Sequence, residues 1–351
     1  MLRPDATVVV YAQDAFARGH SKTAEGMLEY GSCRVVAVID RGRSGRSVGQ
    51  VLPWLRHHRD VPILASLEDS LALAPDALLL GVAPRGGALP AEWRRDISFA
   101  LEHGMNIVNG LHFMVGHDPE FAEVARRHGR WIWDTREPPA GLPVGSGLAA
   151  EVSCEVVLTV GTDCVVGKMV TALEITAEAC RRGIRARFIP TGQTGIMIAG
   201  FGISIDRVIG DFMAGATERL ILDNAAGCEL LLVEGQGSLL HPGYSGVTMG
   251  LIHGCMPGKM ILCHEINKRT IRDSTIAVPT LDEVRRLYEA VTLPTRKGVV
   301  VGISLNSAAA GEDEARRELE RLETSLGLPA TDPLRFGAAP LLDAILVEDP
   351  A

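Results

Sequence analysis

The run Gly161-Thr-Asp-Cys-Val-Val-Gly-Lys168-Met169 lies between a Val/Leu-rich segment, Glu155–Val160, and a helical pattern continuing to about Arg182. Strand, glycine-bounded loop ending in Gly-Lys, and helix make a phosphate-binding loop. Successive N–H groups and the helix N-terminus face an anion, and the lysine neutralises it. Gly161, Thr162, Asp163, Cys164, Gly167 and Lys168 are therefore the candidate cofactor-binding residues. The position after the lysine should carry Ser or Thr, whose hydroxyl ligates Mg²⁺ between reacting phosphates. Here it is Met169, a soft thioether unsuited to a hard cation. Thr162 and Thr171 remain as hydroxyls, but Thr171 lies two residues past Met169, about 200° around a helix axis. The loop thus suits a diphosphate that does not react, such as that of coenzyme A, better than hydrolysed Mg–ATP.

A second apolar run, Glu229-Leu-Leu-Leu-Val-Glu234, ends in an acid and is followed by Gly235-Gln-Gly-Ser238. An acid at the carboxyl end of a strand beside such a loop is placed to act as a general base or to hold a metal. Glu234 and His241 are the catalytic candidates, able to take a proton from an ammonium, and the N–H groups of Gly235 to Gly237 are candidate oxyanion donors. His241-Pro-Gly-Tyr244-Ser245 and the following stretch to Gly254 read as a site loop, rich in Gly, Pro and polar residues. Arg85, Gln193, Thr194, Tyr244 and Ser245 are candidate substrate ligands, Arg85 for its bidentate fit to a carboxylate. Cys164 has a helix N-terminus and Lys168 near enough to favour its thiolate, but no base beside it is identifiable in the sequence. His253, Cys255, Cys263 and His264 lack the paired spacing of a zinc site, so no metal is expected. Asp206 to Asn224 reads as a helix, with Asp211 and Glu218 as solvated positions.

These residues need elements to hold them. Thr7–Tyr11, Arg34–Asp40, Ala77–Val82 and Asn106–Asn109 read as strands, with helical spacing in Lys22–Tyr30 and Ala91–His103. Alternation of this kind predicts a parallel sheet whose ligands sit at the carboxyl ends of strands. The first strand is followed by no G-x-G-x-x-G turn, which argues against a nicotinamide cofactor. Glu137 to Gly147 holds three prolines and three glycines in eleven residues, a linker between two domains, 1–140 and 141–351. A net charge of −8, with 35 basic residues and no basic cluster, argues against a nucleic-acid partner. The absence of a long apolar run and of a C-x-x-C pair among seven cysteines points to a cytoplasmic protein away from membranes.

Together, Gly161–Lys168 and Val233-Glu-Gly-Gln-Gly237 resemble the phosphate loop and strand-end glutamate of dethiobiotin synthetase. A broader match runs over residues 5 to 345. Gly81-Val-Ala-Pro-Arg-Gly-Gly87, Gly110-Leu-His112, Gly161–Lys168, Thr191-Gly-Gln-Thr-Gly195, Glu234-Gly-Gln-Gly-Ser-Leu and His241-Pro-x-Tyr-Ser245 carry it. They resemble a bacterial family long labelled as a domain of unknown function, to which the D-glutamate N-acetyltransferase of D-amino-acid catabolism is similar. The resemblance implies an α/β fold, with a Rossmann-like N-terminal domain followed by a P-loop NTPase-like parallel α/β domain. It further implies acetyl transfer from acetyl-CoA to the α-amine of a D-amino acid. The expected partners are a small-molecule substrate and further copies of the chain, with neither nucleic acid nor membrane. The alternatives are an ATP/Mg-dependent ligase or kinase acting on a small carboxylate, and a nucleotide-binding protein without turnover.

Overall fold

Among the described residues each half of the chain forms six strands, most of them Val/Ile/Leu-rich, and every strand pair is parallel. The computed structural model describes residues 2–3, 5–18, 21–82, 84, 88–293 and 296–347. It divides into two units, Met1–Glu137 with Gln193–Ser204, and Pro138–Gly192 with Ile205–Ala351. The sequence places one uninterrupted boundary near Ala140, whereas Gln193–Ser204, from the second half of the chain, belongs to the first unit.

In the first unit β1 (Thr7–Tyr11), β2 (Arg34–Ile39), β3 (Ile63–Leu64), β4 (Ala77–Leu80), β5 (Asn106–Asn109) and β6 (Ile132–Asp134) lie in the order β3-β2-β1-β4-β5-β6. This is the doubly wound order, with β1 and β4 flanking the switch point. Val8, Val9 and Val10 are fully buried, as a strand covered on both faces requires. Helix Gln193–Ala199 joins this unit through Met197, which enters its apolar core, and through the Thr194 hydroxyl, 2.9 Å from that of Thr23. Gly110 makes room for it: a Cβ there would come within 2.9 Å of Met197 Cε and 3.1 Å of Gln193 Cγ.

The second unit orders β7 (Glu155–Gly161), β8 (Ala186–Ile189), β9 (Leu230–Val233), β10 (Lys259–Glu265), β11 (Val299–Asn306) and β12 (Ala330–Thr331) as β12-β11-β10-β7-β9-β8. The glycine-bounded loop leaves the central β7, Glu234 follows the adjacent β9, and Thr191-Gly192 follows β8. All three therefore reach the same carboxyl edge of the sheet.

Two segments differ from the sequence reading. Residues 245 to 254 are not loop. Ser245–Cys255 is a helix with Val247, Leu251, Ile252 and Cys255 buried. Two of its glycines are there for packing: a Cβ on Gly250 would lie 2.7 Å from Met213 Cβ, and one on Gly254 2.3 Å from the Ala214 carbonyl. Small residues at helical spacing let Ser245–Cys255 lie close against helix Met213–Ala225. The second difference is that this neighbouring helix starts only at Met213, after two short 3₁₀ turns at Ile205–Arg207 and Gly210–Phe212.

Glu218 is not a solvated position either. It is buried, and its carboxylate accepts from the Ser146 hydroxyl at 2.7 Å and the Ser146 amide at 3.0 Å. Burial pushes its pKa up, but the Ser146 hydroxyl and the amides of Ser146, Gly147 and Leu148 outweigh that and hold it below the usual carboxylate range. A depressed folded pKa contributes stability that is present at neutral pH and lost as pH falls through it. Glu218→Gln should therefore cost about 2 kcal/mol at pH 7. In urea titrations the gap to the parent protein should close below about pH 4.

Candidate functional site

The site is assembled around the loop Thr162–Gly167 and helix Lys168–Arg181 of the second unit. Gly167 has φ +104° at the helix start, a conformation that glycine adopts without strain. Among the described residues, the amides of Val165, Val166 and Gly167 meet no acceptor. These donors, with the helix N-terminus, form an anion cradle. Lys168 is buried and donates to the Asp163 carbonyl at 2.7 Å, so its ammonium lies at the loop.

The other loop side chains hold the loop instead of facing a ligand. Asp163 is fully buried; its carboxylate accepts from the Cys164 amide at 2.6 Å and the Arg272 amide at 2.6 Å, and lies 3.0 Å from Lys268 Nζ. Thr162 is also buried, its hydroxyl 3.0 Å from His264 Nδ1. Burial lowers the His264 pKa to about 4, so this imidazole is neutral at pH 7. The Gly161 carbonyl takes two hydroxyl donors, Tyr288 at 2.7 Å and Ser238 at 2.9 Å. Tyr288 in turn accepts the Leu239 amide at 3.2 Å, tying the loop after β9 to the end of β7.

The Mg²⁺ hydroxyl has no substitute among these residues. Met169 is buried in the helix packing at 3% exposure, and Thr162 is engaged with His264. Thr171 donates to the Gly167 carbonyl at 3.0 Å and shares a hydrogen bond of 2.7 Å with Ser304.

Glu234 is 2% exposed, and its Oε2 accepts the amides of Thr191 at 3.1 Å and Gly192 at 3.2 Å. The Thr191 hydroxyl donates to the Glu234 carbonyl. The glycines that follow serve the backbone, not a ligand. A Cβ on Gly235 would lie 1.7 Å from the Thr159 carbonyl and 2.9 Å from Lys168 Cδ. Its amide is also spent, donating to Thr159 Oγ1 at 3.0 Å, which removes Gly235 from the expected oxyanion donors.

His241 is buried, and its ring lies 4.5 Å from that of the exposed Tyr244. Its Nδ1 accepts the Gly243 amide at 3.1 Å. A backbone N–H only donates, so the neutral ring carries its proton on Nε2. His241 therefore offers a donor, where the sequence suggested a base. Ser245 starts the helix behind it. Asp163, Cys164 and His241 bring a carboxylate oxygen, a thiol and a ring nitrogen within 4.8 Å of one another. The histidine beside Cys164 is one that sequence spacing did not reveal, because 77 residues separate them.

Gln193 and Thr194 lie in the first unit, at the start of helix Gln193–Ala199, and the Thr194 hydroxyl is taken up with Thr23. Arg85 lies outside the described residues. His253 is engaged elsewhere: its Nε2 faces the Val291 carbonyl at 3.1 Å.

Residues 143–342 match the family described as a domain of unknown function, the DUF1611 C-terminal P-loop domain, and residues 41–138 match its Rossmann-like N-terminal domain. The chain belongs to the DUF1611 family. It is 44% identical over 318 residues to a protein of Tritonibacter scottomollicae named D-glutamate N-acetyltransferase, covering 90% of this chain and 94% of that one. A Pseudoalteromonas protein of the same name is 38% identical over 274 residues, covering 78% and 82%. The crystal structure of a DUF1611 protein from Anabaena variabilis superposes with a TM-score of 0.93 at 39% identity, over 97% of this chain and 99% of that chain.

Lys268 was invisible as a site residue in the sequence, yet it neutralises a fully buried carboxylate. Lys268→Met should destabilise the protein by about 3 kcal/mol, because Asp163 is left buried without its cation. In thermal or urea unfolding, the double variant Asp163→Asn/Lys268→Met should recover part of that loss; strict additivity would show that the pair is not coupled.

Proposed function

We propose that the protein transfers an acetyl group from acetyl-CoA to the α-amine of D-glutamate. The observation that carries this is the likeness to two proteins named D-glutamate N-acetyltransferase over most of the chain. The loop supports it from the physical side. Its amides and Lys168 suit an anion, and neither Met169 nor the two engaged threonines offers the hydroxyl that Mg–ATP chemistry requires.

Only the neutral amine attacks a thioester, so the ammonium must lose a proton first. Glu234 takes that proton in this reading, its carboxylate oriented by the two amides on Oε2. His241, with its proton on Nε2, acts as a donor to developing negative charge.

An assay of coenzyme A release with acetyl-CoA and a panel of D- and L-amino acids tests the reading. Release is expected with D-glutamate, and its absence with every amino acid at high enzyme concentration contradicts the proposal. Glu234→Gln should lower kcat by about 10²-fold with little change in KM. Lys168→Ala should lower kcat/KM by about 10²-fold or more.

A further inference from the structure

We propose that Cys164 is the nucleophile of a two-step transfer and carries the acetyl group as a thioester between coenzyme A and the amine; this rests on the acetyltransferase reading above. Three features of the second unit converge on it. Cys164 lies in the anion cradle one residue after Asp163, whose carbonyl accepts from Lys168, and four residues before the helix N-terminus, so its surroundings favour a thiolate. Its thiol is within 4.8 Å of a His241 ring nitrogen, and the Gly243 amide on Nδ1 sets that ring to donate through Nε2. The nearest carboxylate, Asp163, does not oppose the thiolate unscreened, because Lys268 lies 3.0 Å from it. Cys164 is partly exposed, while Cys263, at the end of the neighbouring strand β10, is fully buried.

The chemistry balances without a further reactant. The Cys164 thiolate attacks the carbonyl carbon of acetyl-CoA; a C–S bond to Cys164 forms, the bond to the coenzyme sulfur breaks, and coenzyme A leaves with the electron pair as its thiolate. The neutral amine then attacks the acetyl-cysteine carbonyl. The C–N bond forms, the C–S bond breaks, and the Cys164 thiolate returns. The proton shed by the amine nitrogen passes to Glu234 and on to solvent, from which the coenzyme thiolate takes one.

This assignment also changes what the loop holds. The diphosphate and the thioester of acetyl-CoA sit at opposite ends of the pantetheine arm, so a loop whose cysteine meets the thioester does not bind the diphosphate at the same time. The amides of Val165, Val166 and Gly167 then face the carbonyl oxygen as it becomes an oxyanion. Val165 is held at φ +61°, a left-handed conformation unusual for a β-branched residue, and it lies directly after the nucleophile.

The test is acid-quenched mass spectrometry of the full-length enzyme mixed with acetyl-CoA in the absence of amine, together with two-substrate kinetics. One acetyl group on the peptide containing Cys164, removable by hydroxylamine, and parallel double-reciprocal lines are expected. Cys164→Ala should lose about 10³-fold or more in kcat, with a melting temperature like the parent's; Cys164→Ser is the second variant if Ala fails to fold. Coenzyme A release with D-glutamate but intersecting lines and no acetyl on Cys164, or a folded variant within about tenfold of the parent, overturns the covalent route and leaves the acetyltransferase reading standing. A parent enzyme that releases no coenzyme A with any amino acid removes both.

Discussion

A fully buried carboxylate in the middle of a loop is the constraint around which the second unit is organised. Asp163 has no contact with water, so its charge must be met by the protein, and three groups meet it: Lys268, the Arg272 amide and the Cys164 amide. Those partners come from the segment after β10 and from the loop itself, so the loop cannot shift without uncovering a charge. The Gly161 carbonyl is pinned in the same way by Tyr288 and Ser238. Beside this framework lie the amides of Val165, Val166 and Gly167, with the thiol of Cys164 and the head of Lys168 at the same loop. Preorganisation of this kind is what electrostatic catalysis requires, since donors fixed before the reaction need not reorient during it.

Most of the framework is legible in the residues. Fully apolar runs such as Val8–Val10 and Leu230–Val233 read as buried parallel strands, and the glycine-bounded loop with its lysine read as an anion site because strand, loop and helix occur in order. Helix Ser245–Cys255 was misread as a loop because its glycines look like breakers. Only the facing helix, with Met213, Ala214 and Thr217 at contact distance, shows that they are spaced for close packing. Gly192, Gly235 and Gly237 posed the same difficulty. A Cβ on them would meet Gln236, the Thr159 carbonyl and the Tyr244 carbonyl, so their bareness serves close backbone packing. Helix Gln193–Ala199 could not be assigned to the first unit from sequence, since no periodicity reports which sheet a helix covers.

The side-chain roles were the least legible part. Glu218, Lys268, Arg272 and Tyr288 lie 72 or more residues from these partners, and nothing in local spacing links them. His241 was visible as a candidate, but its role depended on one hydrogen bond, from Gly243 to Nδ1, which turns a presumed base into a donor. The same distance in sequence hid the pairing of His241 with Cys164.

In the function proposed above, the phosphate-type loop serves acyl transfer from a coenzyme A thioester and not Mg–ATP. Calorimetric titration of the full-length protein with coenzyme A and, separately, with a non-hydrolysable ATP analogue in the presence of Mg²⁺ separates the two. Saturable binding of coenzyme A is expected, with no Mg-dependent binding of the analogue. Mg-dependent binding of the analogue, with none of coenzyme A, would contradict it.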